Sequence, residues 1–340
     1  MKTLMRGITL GYFLRRIGIF FLTIWIAGSV IWLIPHLAPG DPVAAMIGRM
    51  TSQGGFVENS AQIIAGWKER FGLNDSLPVQ YLRYLGNIAH LDFGYSMNNF
   101  PTPVSQLIGQ ALPWTVGLLL IATLMTFFFG NFLGAIMGWS KTPRLVKVLI
   151  PIGMTMTSLP SILAALFLMY VFAFILNWFP LIGAYDMGMA PGLNLAFIGS
   201  IIQHGTLPAL SIVIVSFGYW TLGMRGMMVS IEGEDYMQLA RAKGLKPFYL
   251  LYRYMVRNAI LPQITALALT IGGLVSGQVL VEYVFAYQGM GGLIYNAILN
   301  QDYPVIQGTS FLLILMTALS VLILDLTYPL IDPRISYGGK

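Results

Sequence analysis

Six long apolar runs divide the chain, near Ile17–Pro35, Trp114–Gly138, Leu149–Phe179, Leu207–Met228, Gln263–Phe285 and Val305–Leu330. Each is long enough to cross about 30 Å of hydrocarbon as a helix. The third is over-long and carries Pro151 and Pro160. It predicts a tilted or kinked helix, because an internal proline removes a helix hydrogen bond. Two polar stretches interrupt the runs. In 36–113 the pattern predicts an amphipathic helix over Ala61–Arg70, a turn at Asn74–Pro78 and a second helical stretch over Val79–His90. The other is Ser230–Leu261. No long-period repeat or low-complexity linker appears, so the fold class is an all-α integral membrane protein with about six transmembrane helices. It divides into 1–35 (amino terminus and first helix), an extracytoplasmic insertion after the first helix (36–113), a core over 114–330 containing the loop 230–261, and a tail (331–340).

Charge placement orients these runs. Lysine and arginine gather at Lys2, Arg6, Arg15 and Arg16, at Lys141, Arg144 and Lys147, over Arg225–Arg257, and at Arg334 and Lys340. Pro180–Thr206 and Ala286–Pro304 have none. That alternation is the positive-inside pattern for a multi-pass protein with both termini in the cytoplasm. Arg49, Lys68, Arg70 and Arg83 fall in the long 36–113 segment, where the rule is relaxed. No A-x-A-like site follows the first run, which reads as an uncleaved span.

Composition supports lipid as the solvent. Of 340 residues 56% are hydrophobic and 9% charged, against about 25% charged in soluble domains. The net charge of +6 sits at the ends of apolar runs, a topology signal and not a nucleic-acid surface. With no cysteine, disulfides, cysteine-bound zinc and cysteine nucleophiles are excluded.

Candidate chemistry is sparse. There is no G-x-x-x-x-G-K-[ST] phosphate loop; Gly289-Met290-Gly291-Gly292 reads as a turn. His36, His90 and His204 are scattered without metal-ligand spacing. No metal site or hydrolytic triad emerges, and the polypeptide is read as not itself an enzyme. Gly130, Gly134 and Gly138 form consecutive small-xxx-small steps that let another helix approach. Glu282 and Asp325 lie within or beside spans, where a carboxylate is either structurally paired or part of a solute path. Gly272, Gly273 and Gly277 offer helix adjustment or close packing in the fifth span. Trp25, Trp32, Trp139, Trp178 and Trp220 read chiefly as interfacial belt residues.

The loop between the fourth and fifth runs is the most informative stretch. Glu232, Glu234 and Asp235 suit a helix N-terminus, and Tyr236 to Gly244 follows as a short helix with Gly244 as its stop. Pro247 suits the first turn of a second helix, which Leu261–Pro262 would close before the next span. Small residues at Ala240, Ala242 and Gly244, ringed by Arg241 and Lys243, suit docking into a partner's groove or lying on anionic lipid.

From Glu234-Asp235-Tyr236 through Ala240-Arg241-Ala242-Lys243-Gly244-Leu245 to Arg257-Asn258-Ala259-Ile260-Leu261-Pro262, this stretch resembles the "EAA" loop of ABC importer permeases. More narrowly it is similar to the first, B-type, permease of the dipeptide/oligopeptide family. The resemblance covers nearly the whole chain. It includes Arg15-Arg16, His36-Leu37-Ala38-Pro39-Gly40-Asp41-Pro42, Phe71-Gly72-Leu73-Asn74, Leu77-Pro78-Val79-Gln80-Tyr81, Leu91-Asp92-Phe93-Gly94, Asp302-Tyr303-Pro304-Val305-Ile306-Gln307-Gly308 and Asp332-Pro333-Arg334. One departure is that Ala240-Arg241-Ala242 stands where the motif often has Glu-Ala-Ala, so no glutamate role carries over.

The resemblance implies a type I ABC importer permease fold in a bacterial or archaeal cytoplasmic membrane. It implies a homologous second permease as heterodimeric partner, two ATPase subunits that hold the ATP and Mg, and an extracytoplasmic solute-binding protein. It binds no cofactor of its own. Glu234, Asp235, Tyr236, Ala240, Arg241, Ala242, Lys243, Gly244 and Pro262 would form the ATPase-coupling loop. Glu282, Gly273, Gly277 and Asp325 are candidates for the solute path, and the cargo would be a di- or oligopeptide or a short oligosaccharide. The alternative is an ion-coupled secondary transporter, which needs midplane carboxylates and, typically, inverted repeats; neither is evident.

Overall fold

A computed structural model describes residues 10–37, 74–192, 194–273 and 278–331, together with 48, 66 and 69. The expected amphipathic helix Ala61–Arg70 lies outside them, apart from Gly66 and Glu69, both helical. Contacts divide the chain into two units, 1–113 with 289–340, and 114–288.

The helices are α1 (Leu10–Leu37), α2 (Leu77–Ala89), α3 (Val104–Gly138), α4 (Arg144–Lys147), α5 (Leu149–Thr157), α6 (Ser161–Leu168), α7 (Leu195–Glu232), α8 (Asp235–Ala242), α9 (Pro247–Tyr249), α10 (Arg257–Gly272), α11 (Val279–Val284), α12 (Met290–Leu299) and α13 (Tyr303–Ile331). Two π-helical runs extend them, Met169–Ile175 after α6 and Leu250–Val256 between α9 and α10. Among the described residues, α1, α3, α7 and α13 are long and apolar enough to cross a membrane. The chain is thus a multi-pass helical membrane protein. A fifth span results if the α4–α5 stretch and the α6 stretch, bent by 100°, count as one. The bend falls just before Pro160, where the kink is expected. The expected span Gln263–Phe285 begins in α10 and ends in α11, with 274–277 outside the described residues.

Several boundaries differ from the sequence reading, α1 already beginning at Leu10 and α2 at Leu77. Helix α3 starts at Val104 and runs through Pro113, which the apolar pattern took as the edge of the span. Its first turns are held by Val104, Ile108 and Ala111, buried with Met290, Ala297 and Val305. Packing therefore overrides the proline signal. Helix α7 starts at Leu195, twelve residues before the expected Leu207. Asn194 caps it by accepting from the Phe197 backbone at 2.8 Å, and Phe197, Ser200, His204, Leu207 and Ser211 make one buried face at helical spacing. The Gly289–Gly292 stretch is not only a turn, since Met290 already begins α12.

In the first unit α1 packs along α13, and a Cβ on Gly28 would stand 3.3 Å from Ile88 Cδ1 and 3.6 Å from Phe311 Cε2. Asp302, buried just before α13, accepts from Ser96 Oγ and from the backbone of Met97 and Asn98 at 3.1 and 3.0 Å. In the second unit α7 is the central rod, packed by α3, α5, α6 and α10. A Cβ on Gly130, Gly134 or Gly138 would stand 2.7 Å from Trp220 Cβ, 2.3 Å from Thr221 O and 2.5 Å from Met228 Cβ. The three glycines thus seat α3 directly on the backbone of α7. Trp220, read from sequence as a belt residue, is 2% exposed and belongs to this seam. Gly218 gives α5 the same approach, since a Cβ there would stand 2.3 Å from Gly153 O.

Gly134→Ala should lower the unfolding midpoint in detergent by the cost of overpacking, about 1–3 kcal/mol. Gly117→Ala on the same helix, where a Cβ meets nothing within 4 Å, should leave it unchanged. Fluorescence-detected thermal melts compare the two.

Candidate functional site

The segment after α7 builds a compact helical loop. Gly233 ends α7 and Glu234, in extended conformation, precedes α8. Asp235 lies in the first turn of α8 and Arg241 in the last, so both charges complement the helix dipole. Gly244 at φ +74° closes it, with its N–H donating to Arg241 O at 2.9 Å and that of Lys243 to Leu239 O at 3.0 Å. A left-handed residue here is cheapest as glycine. Pro247 then opens α9.

One face of α8 is buried and the other free. Met237 and Ala240 are 1% and 4% exposed and pack with Met228, Ile231, Leu250 and Met255. Ala240, a small residue suited to a partner's groove, is spent on this internal contact. Leu239, Arg241, Ala242, Lys243 and Gly244 are exposed, as is Tyr236, whose phenol is pushed up by burial and by Glu234 against a lowering side-chain bond with Asn258. Glu232 is the last residue of α7, not a residue of the α8 N-terminus. Its Oε1 accepts from Arg241 Nη2 at 2.5 Å and from Ser140 Oγ just past α3. This clamp sets the angle of α8 against the ends of α7 and α3.

Eight of the nine expected loop residues thus fall in one short loop. Pro262 does not. It lies inside α10, which continues to Gly272 where closure was expected. Membrane helices tolerate such a proline when neighbouring groups re-satisfy the freed backbone carbonyl.

The solute-path candidates divide between the two units. Glu282 on α11 is fully buried and accepts from Thr115 Oγ1 at 2.8 Å. The nearby Tyr287 phenol is pushed up to about 12 by burial and by Glu282. Gly273 caps α10, and Gly277 lies outside the described residues. Asp325, in the other unit, pairs with Arg16 at 2.9 Å, while Tyr12 donates to its carbonyl at 3.0 Å. Both carboxylates have structural partners.

Two groupings escaped the sequence reading. Asp302 meets Ser96 across 206 positions, a pairing no local pattern signals. His204, one of the scattered histidines, is 7% exposed on α7, with Asp186 at 3.8 Å and Ser200 bridging to Asp186 at 2.8 Å. The i, i+4 spacing of Ser200 and His204 was the available signal. Among the described residues no group of three or more metal-ligating side chains stands together.

Long apolar helices, a rod-like α7 and a charged loop folded back against its end define a multi-pass helical membrane protein. Residues 130–337 match the family of binding-protein-dependent transport system inner membrane components. The probable peptide ABC transporter permease protein y4tP of Sinorhizobium fredii is 31% identical over 96% of this chain and 99% of its own. The oligopeptide transport system permease protein AppB of Bacillus subtilis is 35% identical over 90% and 93%. The glutathione transport system permease protein GsiC of Salmonella typhimurium is 30% identical over 96% and 99%. The chain belongs to the binding-protein-dependent transport system inner membrane component family, as a permease subunit of an ABC importer. ATP hydrolysis in such importers belongs to separate subunits, and the ion-coupled alternative is not favoured.

Because Arg241 and Glu232 are 48% and 17% exposed, the clamp is partly screened. In a double-mutant cycle of Glu232→Gln and Arg241→Gln, thermal melts should give a coupling of about 0.5–1 kcal/mol.

Proposed function

We propose that this permease takes up a di- or oligopeptide or a similarly small peptide-like solute, delivered by an extracytoplasmic solute-binding protein. The observation that carries the reading is similarity over nine-tenths or more of the chain to permeases named for peptide, oligopeptide and glutathione. No midplane lysine or arginine offers a site for a lone anion, which fits a zwitterionic cargo. A short oligosaccharide has no comparable support.

In this reading a homologous second permease completes the pathway and two ATPase subunits, holding ATP and Mg, bind beneath. The exposed face of α8, with Tyr236, Arg241, Ala242, Lys243 and Gly244, enters a groove of one ATPase. Glu234 and Asp235 start that helix, while Ala240 and the Glu232 clamp fix it to α7, so nucleotide-driven closure reaches the spans. Both termini and the α8 loop are cytoplasmic, 36–113 is the extracytoplasmic insertion, and the membrane is the cytoplasmic membrane of a bacterium or archaeon. Lysine and arginine placement supports this orientation.

Two outcomes follow. In reconstituted transporter, ATP hydrolysis should rise with peptide-loaded binding protein, and Gly244→Val should abolish that rise and uptake while membrane insertion persists. Undiminished uptake would refute the docking role. Since the chain has no cysteine, single substitutions report sidedness cleanly. An impermeant maleimide should label Asn74→Cys in intact cells and Lys243→Cys only after permeabilisation. The reverse pattern would overturn the topology and, with it, the coupling role of α8.

A further inference from the structure

A cavity of about 210 Å³ lies wholly within the first unit, among the end of α1, α2, the turn after it and the start of α13. Its walls include Trp32, His36, Arg83, Tyr84, Asp92 and Tyr303. Sites that enclose whole drug-sized ligands run to about 300–1,000 Å³, so this one suits a fragment and not a complete peptide cargo.

Depth selects the ligand. Helix α1 has 28 residues, about 42 Å of helix against about 30 Å of hydrocarbon. With Arg15 and Arg16 near one end, Trp32 and His36 fall at headgroup level near the other. The helix shows lipid-facing residues up to this point, with Val30, Leu33 and Ile34 all exposed. Beside the cavity α2 also exposes Val79 and Leu82, 46% and 67%, an apolar strip suited to acyl chains.

The wall chemistry is dipolar. Arg83 uses one donor on Asp75 at 2.5 Å, and a guanidinium has five. Both ring nitrogens of His36 face acceptor oxygens, Trp32 O at 2.9 Å and Gln80 Oε1 at 3.2 Å. The Gln80 amide donates to Asp75 O at 2.8 Å, which turns its Oε1 toward that ring. Trp32 packs against that ring, tilted by 34°, with centroids 4.1 Å apart. Asp92 supplies an opposite charge while accepting from the Gly94 backbone at 3.0 Å. The Tyr84 hydroxyl is buried and has no partner among the described residues; burial pushes its phenol up, so it remains a donor.

We propose that this cavity binds a phosphate ester bearing a primary ammonium, namely the headgroup of a phosphatidylethanolamine from the surrounding bilayer. Arg83 meets the phosphate, Asp92 the ammonium, and the acyl chains run down α1 beside Val30, Leu33 and Ile34. The proposal requires only that α1 spans the membrane, and is independent of sidedness and cargo.

Native mass spectrometry of the assembled transporter, exchanged into equal amounts of phosphatidylethanolamine and phosphatidylglycerol, tests it. The unaltered protein should retain phosphatidylethanolamine preferentially. Arg83→Gln should weaken retention about tenfold, the loss of one charge-assisted hydrogen bond. Asp92→Asn, which keeps an acceptor for Gly94, should still hold lipid but lose the preference. Equal retention by wild type and both variants, or no retained lipid, would overturn the proposal. So would displacement of the lipid by a soluble dipeptide, which would make the cavity a cargo subsite. Soluble phosphoethanolamine forms a further arm: its binding without retained lipid would assign the site to a free phosphate ester and overturn the lipid assignment. Should a variant fail to fold, a phosphatidylethanolamine with a photoreactive group near its glycerol should label 30–37 or 77–97 of the unaltered protein. Labelling confined elsewhere would count against the site.

Discussion

Lipid chains are as apolar as leucine, so helices in a bilayer gain little by hiding apolar side chains from it and must hold together through close contact. In the second unit that contact is the glycine seam. Gly130, Gly134 and Gly138 bring α3 onto the backbone of α7, and Gly218 does the same for α5. The position of everything α7 carries follows from this seam. Its far end bears Glu232, and Glu232 holds Arg241 and Ser140 together. The angle of α8 is therefore tied to the helix packing that places the end of α7.

The parts of the fold legible in sequence are those fixed by local pattern. Apolar runs located α1, α3, α7 and α13, the small-xxx-small steps located the seam, and Gly244 with Pro247 located the end of α8 and the start of α9. Boundaries failed where distant contacts decided them. Pro113 looked like an edge, yet Val104, Ile108 and Ala111 carry α3 past it because Met290 and Val305 cover them. Trp220 looked interfacial because aromatic residues favour membrane boundaries, but the space opened by Gly130 draws it inside.

The candidate site divides in the same way. The α8 loop is contiguous, so its residue types and their order were visible together. The clamp needed the fold, because Glu232 reads equally well as a helix-start residue until Arg241 is seen against it. For Glu282 and Asp325 sequence left pairing and passage open. The structure gives each a partner, Thr115 and Arg16 respectively, which makes anchoring the nearer physical account. Asp302 and Ser96 were invisible for the opposite reason, being ordinary residues until chain closure joins them.

Helix α7 runs for 38 residues through Pro208, about 57 Å of helix with one backbone hydrogen bond missing at the proline. A rod of that length is a lever. A tilt of about 5° at one end moves the other by about 5 Å on this geometry, close to one helical turn. Because α3 and α5 are seated on its backbone with no side-chain cushion between, they have little freedom to lag behind. Small angular work delivered at Glu232 would thus emerge as ångström-scale travel near His204 and Asp186, without any bond in the rod having to break.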